Sequence, residues 1–215
     1  MPLPRFQRLA EDKRHQLLAI ATKEFAQKGF DAASLNEILA ASGLGKSSYY
    51  YYFEDKEDLY VTCLMEAFLR TLHEVPAIDP ASLTARTFWP TFEEYFRALI
   101  RASTSRPEEL ALYRDIPALR ARLMPRFQAF AKQMIDPALE FIRRGQALGC
   151  VRTDLDAEQL YAVGTAADSA LDEVLLSRQK DITPAQLVAH GELVIDGWRR
   201  LLVPAAAPPR RKASR

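Results

Sequence analysis

Residues 34–59 read SLNEILAASGLGKSSYYYYFEDKEDL, and the fold class follows from this stretch. Ser34 stands three residues before Glu37, the spacing at which a serine hydroxyl accepts the Glu37 amide while the glutamate reaches back. A short helix therefore spans 34–41, and Ser42-Gly43-Leu44-Gly45 turns the chain. A second short helix spans 46–53. Two short helices joined by a glycine-containing turn are the helix-turn-helix signature.

The second of these helices carries the chemistry. Advancing about 100° per residue from Tyr49 puts Tyr52 and Phe53 on the Tyr49 side, over Leu35, Ile38 and Leu39. Ser47, Ser48, Tyr50 and Tyr51 remain outward, with Lys46 at the helix start. Hydroxyls, phenols and an ammonium at a helix N-terminus suit phosphate oxygens and base edges, because that end also offers unpaired amides.

Helical signals continue on both sides. Leu17, Leu18, Ile20, Ala21 and Phe25 give 11–28 an apolar face, with Gly29 as its cap. Asp55 opens a longer helix with Leu59, Cys63 and Ala67 on one side, and Pro76 and Pro80 break the pattern after it. Further helices are expected over 88–103, 107–113, 119–148 (with Pro125 and Pro137 bending it), 157–177 and 184–203. Thr183-Pro184 is a strong start signal. No alternation suggests strands, so the chain is expected to be all-α. The expected division is 1–55 as a DNA-binding head, 56–203 as a helical body and 204–215 as a disordered basic tail.

Composition sets the exclusions. The net charge of +1 over 215 residues argues neither for nor against nucleic acid, and residues 1–60 carry eight Lys/Arg against nine Asp/Glu. Cys63 and Cys150 have no metal-ligand or disulfide spacing and read as buried apolar residues, and no metal or cofactor is expected. His15, His73 and His190 show no partner spacing. No phosphate loop, dinucleotide fingerprint or catalytic grouping occurs, so no catalytic residue and no enzyme is expected. The opening residues do not resemble a signal peptide and no run of about 18 apolar residues exists, which points to a cytoplasmic protein without membrane contact.

The run from Ser34 to Leu59 resembles the DNA-binding signature of the TetR family of transcriptional regulators. Ser42-Gly43, Lys46, Tyr50, Tyr52, Phe53, Lys56, Glu57 and Leu59 stand at matching places, as do Phe25, Gly29 and Phe30. The close resemblance covers about residues 11–62; beyond it only the all-helical plan is similar. It implies that Lys46, Ser47, Ser48, Tyr50 and Tyr51 face the major groove and flanking phosphates, that Lys56 contacts phosphate, and that Ser34 joins the same interface. The expected partner is a palindromic double-stranded operator. Glu54 and Asp55 depart from the pattern by placing negative charge near the DNA. That departure favours an alternative, an interaction adaptor that kept the fold and lost DNA binding.

In that family the C-terminal helices form a homodimer interface and an effector pocket. Phe88, Phe92, Tyr95, Phe96, Tyr113, Phe127, Phe130 and Met134 are the pocket candidates here, with Asp168 as a candidate polar contact to the ligand. As a set they imply a small apolar or aromatic effector, whose binding releases a repressor from DNA. Leu160, Gly164 and Leu171 on one helix, with Val194 and Trp198 on the next, are the expected dimer contacts.

Overall fold

The computed structural model describes residues 4–178 and 183–204; within helices, the side chains of residues 4, 124, 128–134, 177 and 178 fall outside the description. Phe130 and Met134 therefore lie outside the described side chains, and nearly all of the expected tail lies outside the described residues. Among the described residues the regular structure is entirely helical. None of these helices is long and apolar enough to cross a membrane.

Helix α1 (Glu11–Ala32) turns Leu17, Leu18, Ala21 and Phe25 inward and breaks at Gly29, where φ is +77°. That left-handed backbone is open to glycine at little cost, because no Cβ strikes the following carbonyl. Helix α2 (Leu35–Ser42) is capped by Ser34, whose hydroxyl accepts the Glu37 amide at 3.4 Å, and it closes on Gly43 at φ +67°. The return half of the expected capping box is absent. The Ser34 amide donates to Glu24 at 3.0 Å, while Glu37 pairs with Lys28. Helix α3 (Lys46–Tyr52) follows the turn, and α4 (Lys56–His73) begins on the Asp55 side chain, which accepts the Asp58 amide at 2.8 Å.

The body comprises α5 (Phe88–Thr104), α6 (Pro107–Leu112), α7 (Ile116–Ala147), α8 (Ala157–Arg178) and α9 (Pro184–Leu202). Helix α9 starts on a complete capping box between Thr183 and Gln186. Helix α5 packs on α9, α7 on α8, and α8 on α9. Gly164 decides how closely the last pair approach. The Trp198 ring lies where a Gly164 side chain would otherwise stand.

Two hydrophobic clusters hold these elements. The first joins Phe25, Ile38, Tyr49, Phe53 and Tyr60 to Leu112, Leu119 and Leu123, so the front of α7 belongs to the same core as the helix-turn-helix. No break in that core falls at residue 55, where the sequence pattern places the boundary. The second cluster gathers Phe88, Phe92, Phe141, Ile142, Leu160, Ile195 and Trp198.

Candidate DNA-recognition face and effector region

Helix α3 is held from behind. Tyr49 and Phe53 are both fully buried, their rings stacked with centroids 5.3 Å apart, and the Tyr49 hydroxyl donates to the Asp55 carbonyl at 2.6 Å. Burial pushes that phenol well above its usual pKa, so it stays a neutral donor tying α3 to the start of α4. The helix then turns Lys46, Ser47, Ser48, Tyr50 and Tyr51 to solvent, and Tyr50 and Tyr51 are 49% and 48% exposed. Two tyrosines left half in water on one short helix offer an apolar and hydrogen-bonding surface to solvent.

Lys56 is placed differently from the expectation. Its ammonium donates to the Asp31 and Ala33 carbonyls at 3.2 and 3.1 Å and sits 4.7 Å from the Phe30 ring centroid. It therefore satisfies the carbonyls that the end of α1 leaves without intrahelical partners, rather than standing free for phosphate. Ser34 is likewise occupied as a cap, through both its hydroxyl and its amide.

The acidic run after α3 is the feature whose meaning the sequence left open. Arg126 on α7 reaches Asp55 at 2.7 Å, Asp58 at 3.8 Å, and Glu54 and Glu57 at 3.9 Å, while Arg122 pairs with Glu57. Asp58 is fully buried and its carboxylate also accepts the Glu54 amide at 3.2 Å. At the start of α7, Asp115 accepts the Phe30 amide at 2.8 Å and Arg114 donates to the Ala26 carbonyl at 3.4 Å. The carboxylates thus clasp the head to the body. Sequence reasoning missed Arg114, Asp115, Arg122 and Arg126 as functional residues. The one signal for them was four acids within five residues, which need cations from elsewhere in the chain.

The described members of the aromatic set lie in different surroundings. Phe88 and Phe92 are packed in the second core, where Phe88 stacks on Phe141 with centroids 4.5 Å apart. Tyr113 and Phe127 pack with the head cluster, and burial pushes the Tyr113 phenol up to about 12. Phe96 is half-buried against Phe92. Tyr95 lines an open groove of about 960 Å³ between the residues after α4 and the outer side of α5, together with Val75, Ile78, Leu83, Pro90 and Arg101. Aromatic residues at helical spacing reached three environments because spacing gives a helix face and not the neighbour it meets.

Asp168 has an internal partner. The Trp198 indole donates to it at 2.6 Å, yet burial pushes its carboxyl up to about 6, against the lowering effect of that hydrogen bond. His190, expected to lack a partner, contacts Asp172 at 2.7 Å across the same pair of helices. A carboxyl whose folded pKa lies above its unfolded value contributes stability that is complete below about pH 4 and is lost as pH rises through about 6. Asp168→Asn, which keeps an acceptor for Trp198, should raise stability by ~1–2 kcal/mol near pH 7.5, allowing for partial solvent contact, and change little below pH 4. Denaturant melts at the two pH values check this; a pH-independent difference would show that the carboxylate is well solvated.

The expected dimer contacts divide. Leu160 and Trp198 are buried within the protomer and Gly164 is covered by the Trp198 ring, so these three present no surface to a partner. Leu171 and Val194 are half-buried. The exposed apolar residues of the same two helices are Val163 and Val174 on α8 and Val188 and Leu193 on α9. Helix α8 is apolar on both sides, and the sequence stripe mixed its inward and outward positions.

The family profile described as bacterial regulatory proteins, tetR family, matches residues 17–63, which run from within α1 through α2 and α3 into the first half of α4. The chain is similar to the HTH-type transcriptional regulator AcrR of Shigella flexneri, 37% identical over 51 residues, and spans about a quarter (24%) of that protein's length and of its own. A longer alignment, 28% identical over 152 residues, covers 69% of this chain and 74% of the HTH-type transcriptional repressor KstR2 of Mycobacterium tuberculosis. Among solved structures, a TetR family transcriptional regulator from Chloroflexus aurantiacus superposes with a TM-score of 0.53 at 25% identity, covering 94% of this chain and 99% of the other. The outward tyrosines and Lys46 of α3, the matched head and the shared all-helical plan lead to one assignment: residues 17–63 of the chain form a helix-turn-helix head of the tetR family of bacterial regulatory proteins.

Proposed function

We propose that this protein is a homodimeric repressor that holds a palindromic operator with Lys46, Ser47, Ser48, Tyr50 and Tyr51 and releases it on binding a small apolar or aromatic molecule. The observation that carries the reading is the division of α3, whose Tyr49 and Phe53 are fully buried while Tyr50 and Tyr51 stand half in solvent beside Lys46. The mycobacterial relative is named a repressor, which supports repression over activation. Residues 1–55 act as the reading head and 56–203 as the sensing and dimerising body. Helix α4 is shared between them, and the Arg122–Arg126 clasp transmits displacement of α7 to the head. The effector candidate on the body is the Tyr95 groove, with Phe96 beside Phe92 and Asp168 beside Trp198 as further ligand contacts. A ligand favouring one head arrangement shifts the population only by its differential affinity for that arrangement.

Footprinting on fragments upstream of the protein's own gene tests the reading. A protected inverted repeat is expected, and Tyr50→Ala or Lys46→Ala should weaken it about tenfold or more, since each removes a donor that sets register on the duplex. Both side chains lie outside the packed face, so thermal stability should hold. Unchanged protection in both variants would move the DNA contacts off α3.

A further inference from the structure

The segment before α1 is folded onto the recognition helix. Residues Pro4–Arg8 form a single 3₁₀ turn. Phe6 is only 1% exposed, wedged against Phe53 with centroids 4.8 Å apart and edge-on to Tyr52 at 6.1 Å. Burying a phenylalanine this fully holds a five-residue turn against the head, because leaving the ring in water is the alternative. Its neighbour Arg5 is exposed, and the guanidinium carbon lies 4.4 Å from the ring centroid of Tyr51. Tyr51 is one of the two outward tyrosines of α3.

The charges around α3 give this contact its meaning. The acids that follow α3 are engaged by Arg122 and Arg126, and Lys56 is engaged by the carbonyls of α1. Lys46 is then the one formally charged side chain on the recognition helix itself, where a duplex would present a row of phosphates. Among the described residues Arg5 has no carboxylate partner. A guanidinium held over a phenol ring by cation–π attraction keeps its N–H donors for a further partner, because the ring face takes none of them as a conventional hydrogen bond. Held this way it loses little side-chain entropy on meeting an anion.

We propose that Pro4–Arg8 is a DNA-binding arm, in which Phe6 fixes the turn to the head and Arg5, oriented by Tyr51, donates to a backbone phosphate beside the groove that α3 enters. The inference rests on the DNA-binding reading above and adds an anchor outside the helix-turn-helix. The arm contributes affinity and register and reads no base, so its effect is alike on cognate and unrelated DNA.

The test is a salt titration of binding to the protected fragment and to a scrambled duplex of equal length. The slope of log K against log salt should fall by about 0.9 for each phosphate that is no longer neutralised, or about 1.8 for two arms on one operator. Arg5→Ala should show that fall on both duplexes with a wild-type melting temperature. Tyr51→Phe should preserve the Arg5 contribution, whereas in Tyr51→Ala the further change Arg5→Ala should cost markedly less. Arg5→Ala with a wild-type slope overturns the proposal and leaves the operator reading intact. A wild-type protein that binds neither duplex overturns both, and a slope change confined to the cognate duplex would overturn the arm by making Arg5 a base reader.

Discussion

Glutamate placed at both Val163 and Leu193 should convert the proposed homodimer to monomers and lower operator affinity by at least about a hundredfold. Each side chain is 51% exposed, one on α8 and one on the adjoining α9, and Val174, three helical turns beyond Val163, extends the apolar surface of α8. A two-fold interface presents one patch twice, so two substitutions bring four carboxylates into a contact from which water is withdrawn. Each carries a desolvation penalty of several kcal/mol if left unpaired. The protomer should keep its fold, since neither residue is in the second core. The loss on DNA follows from linkage of the two heads. A monomer engages one half-site and forfeits the effective concentration of the second head, which contributes roughly 10²–10⁴ in affinity. Light scattering reads the assembly and gel shift reads the operator. A dimer of wild-type stability after both substitutions would place the interface elsewhere.

Arg126→Glu should destabilise the protein strongly for a single charge change. Arg126 stands among Glu54, Asp55, Glu57 and Asp58, and Asp58 is fully buried, out of reach of solvent that could replace the cation. Removing one partner of a buried pair leaves the other charge uncompensated, and a reversed charge adds repulsion. Because Asp55 and Glu54 are substantially solvated, the expected cost is about 2–3 kcal/mol rather than the full buried-pair penalty. For a chain of this length that lowers the melting temperature by roughly 5–10 °C. DNA binding should fall further than stability predicts, because the freed acids adjoin α3 and the head is no longer held against α7. Arg126→Gln should fall between the two. Equal melting temperatures for wild type and Arg126→Glu would show that the clasp is a solvated surface pairing.

The head was legible in one dimension because its information is local. The Ser34 cap, the Gly43 turn and the 100° advance that buries Tyr49 and Phe53 while exposing Tyr50 and Tyr51 all depend on residues within a few positions of each other. Helix starts at Asp55 and Thr183 were readable for the same reason, since a cap and its amide lie on one turn. The family resemblance lay in that same short window.

What the tertiary structure decided were matters of partner. Lys56 could be assigned to phosphate until the end of α1 was seen to place two bare carbonyls beside it. The acids at 54–58 stood as an obstacle to DNA binding until α7, some 65 to 71 residues further on, brought Arg122 and Arg126 to them. Leu160 and Val163 share a stripe by periodicity, and the packing of Trp198 over Gly164 sends one inward and leaves the other in solvent. By itself the sequence determined an all-helical chain with a helix-turn-helix head and an outward tyrosine pair, because capping, turn chemistry and helical phase act over three or four residues. Charge pairing and helix-on-helix packing act between residues far apart in the chain, so the clasp, the split of the aromatic set and the outer face of α8 and α9 were settled only by the fold.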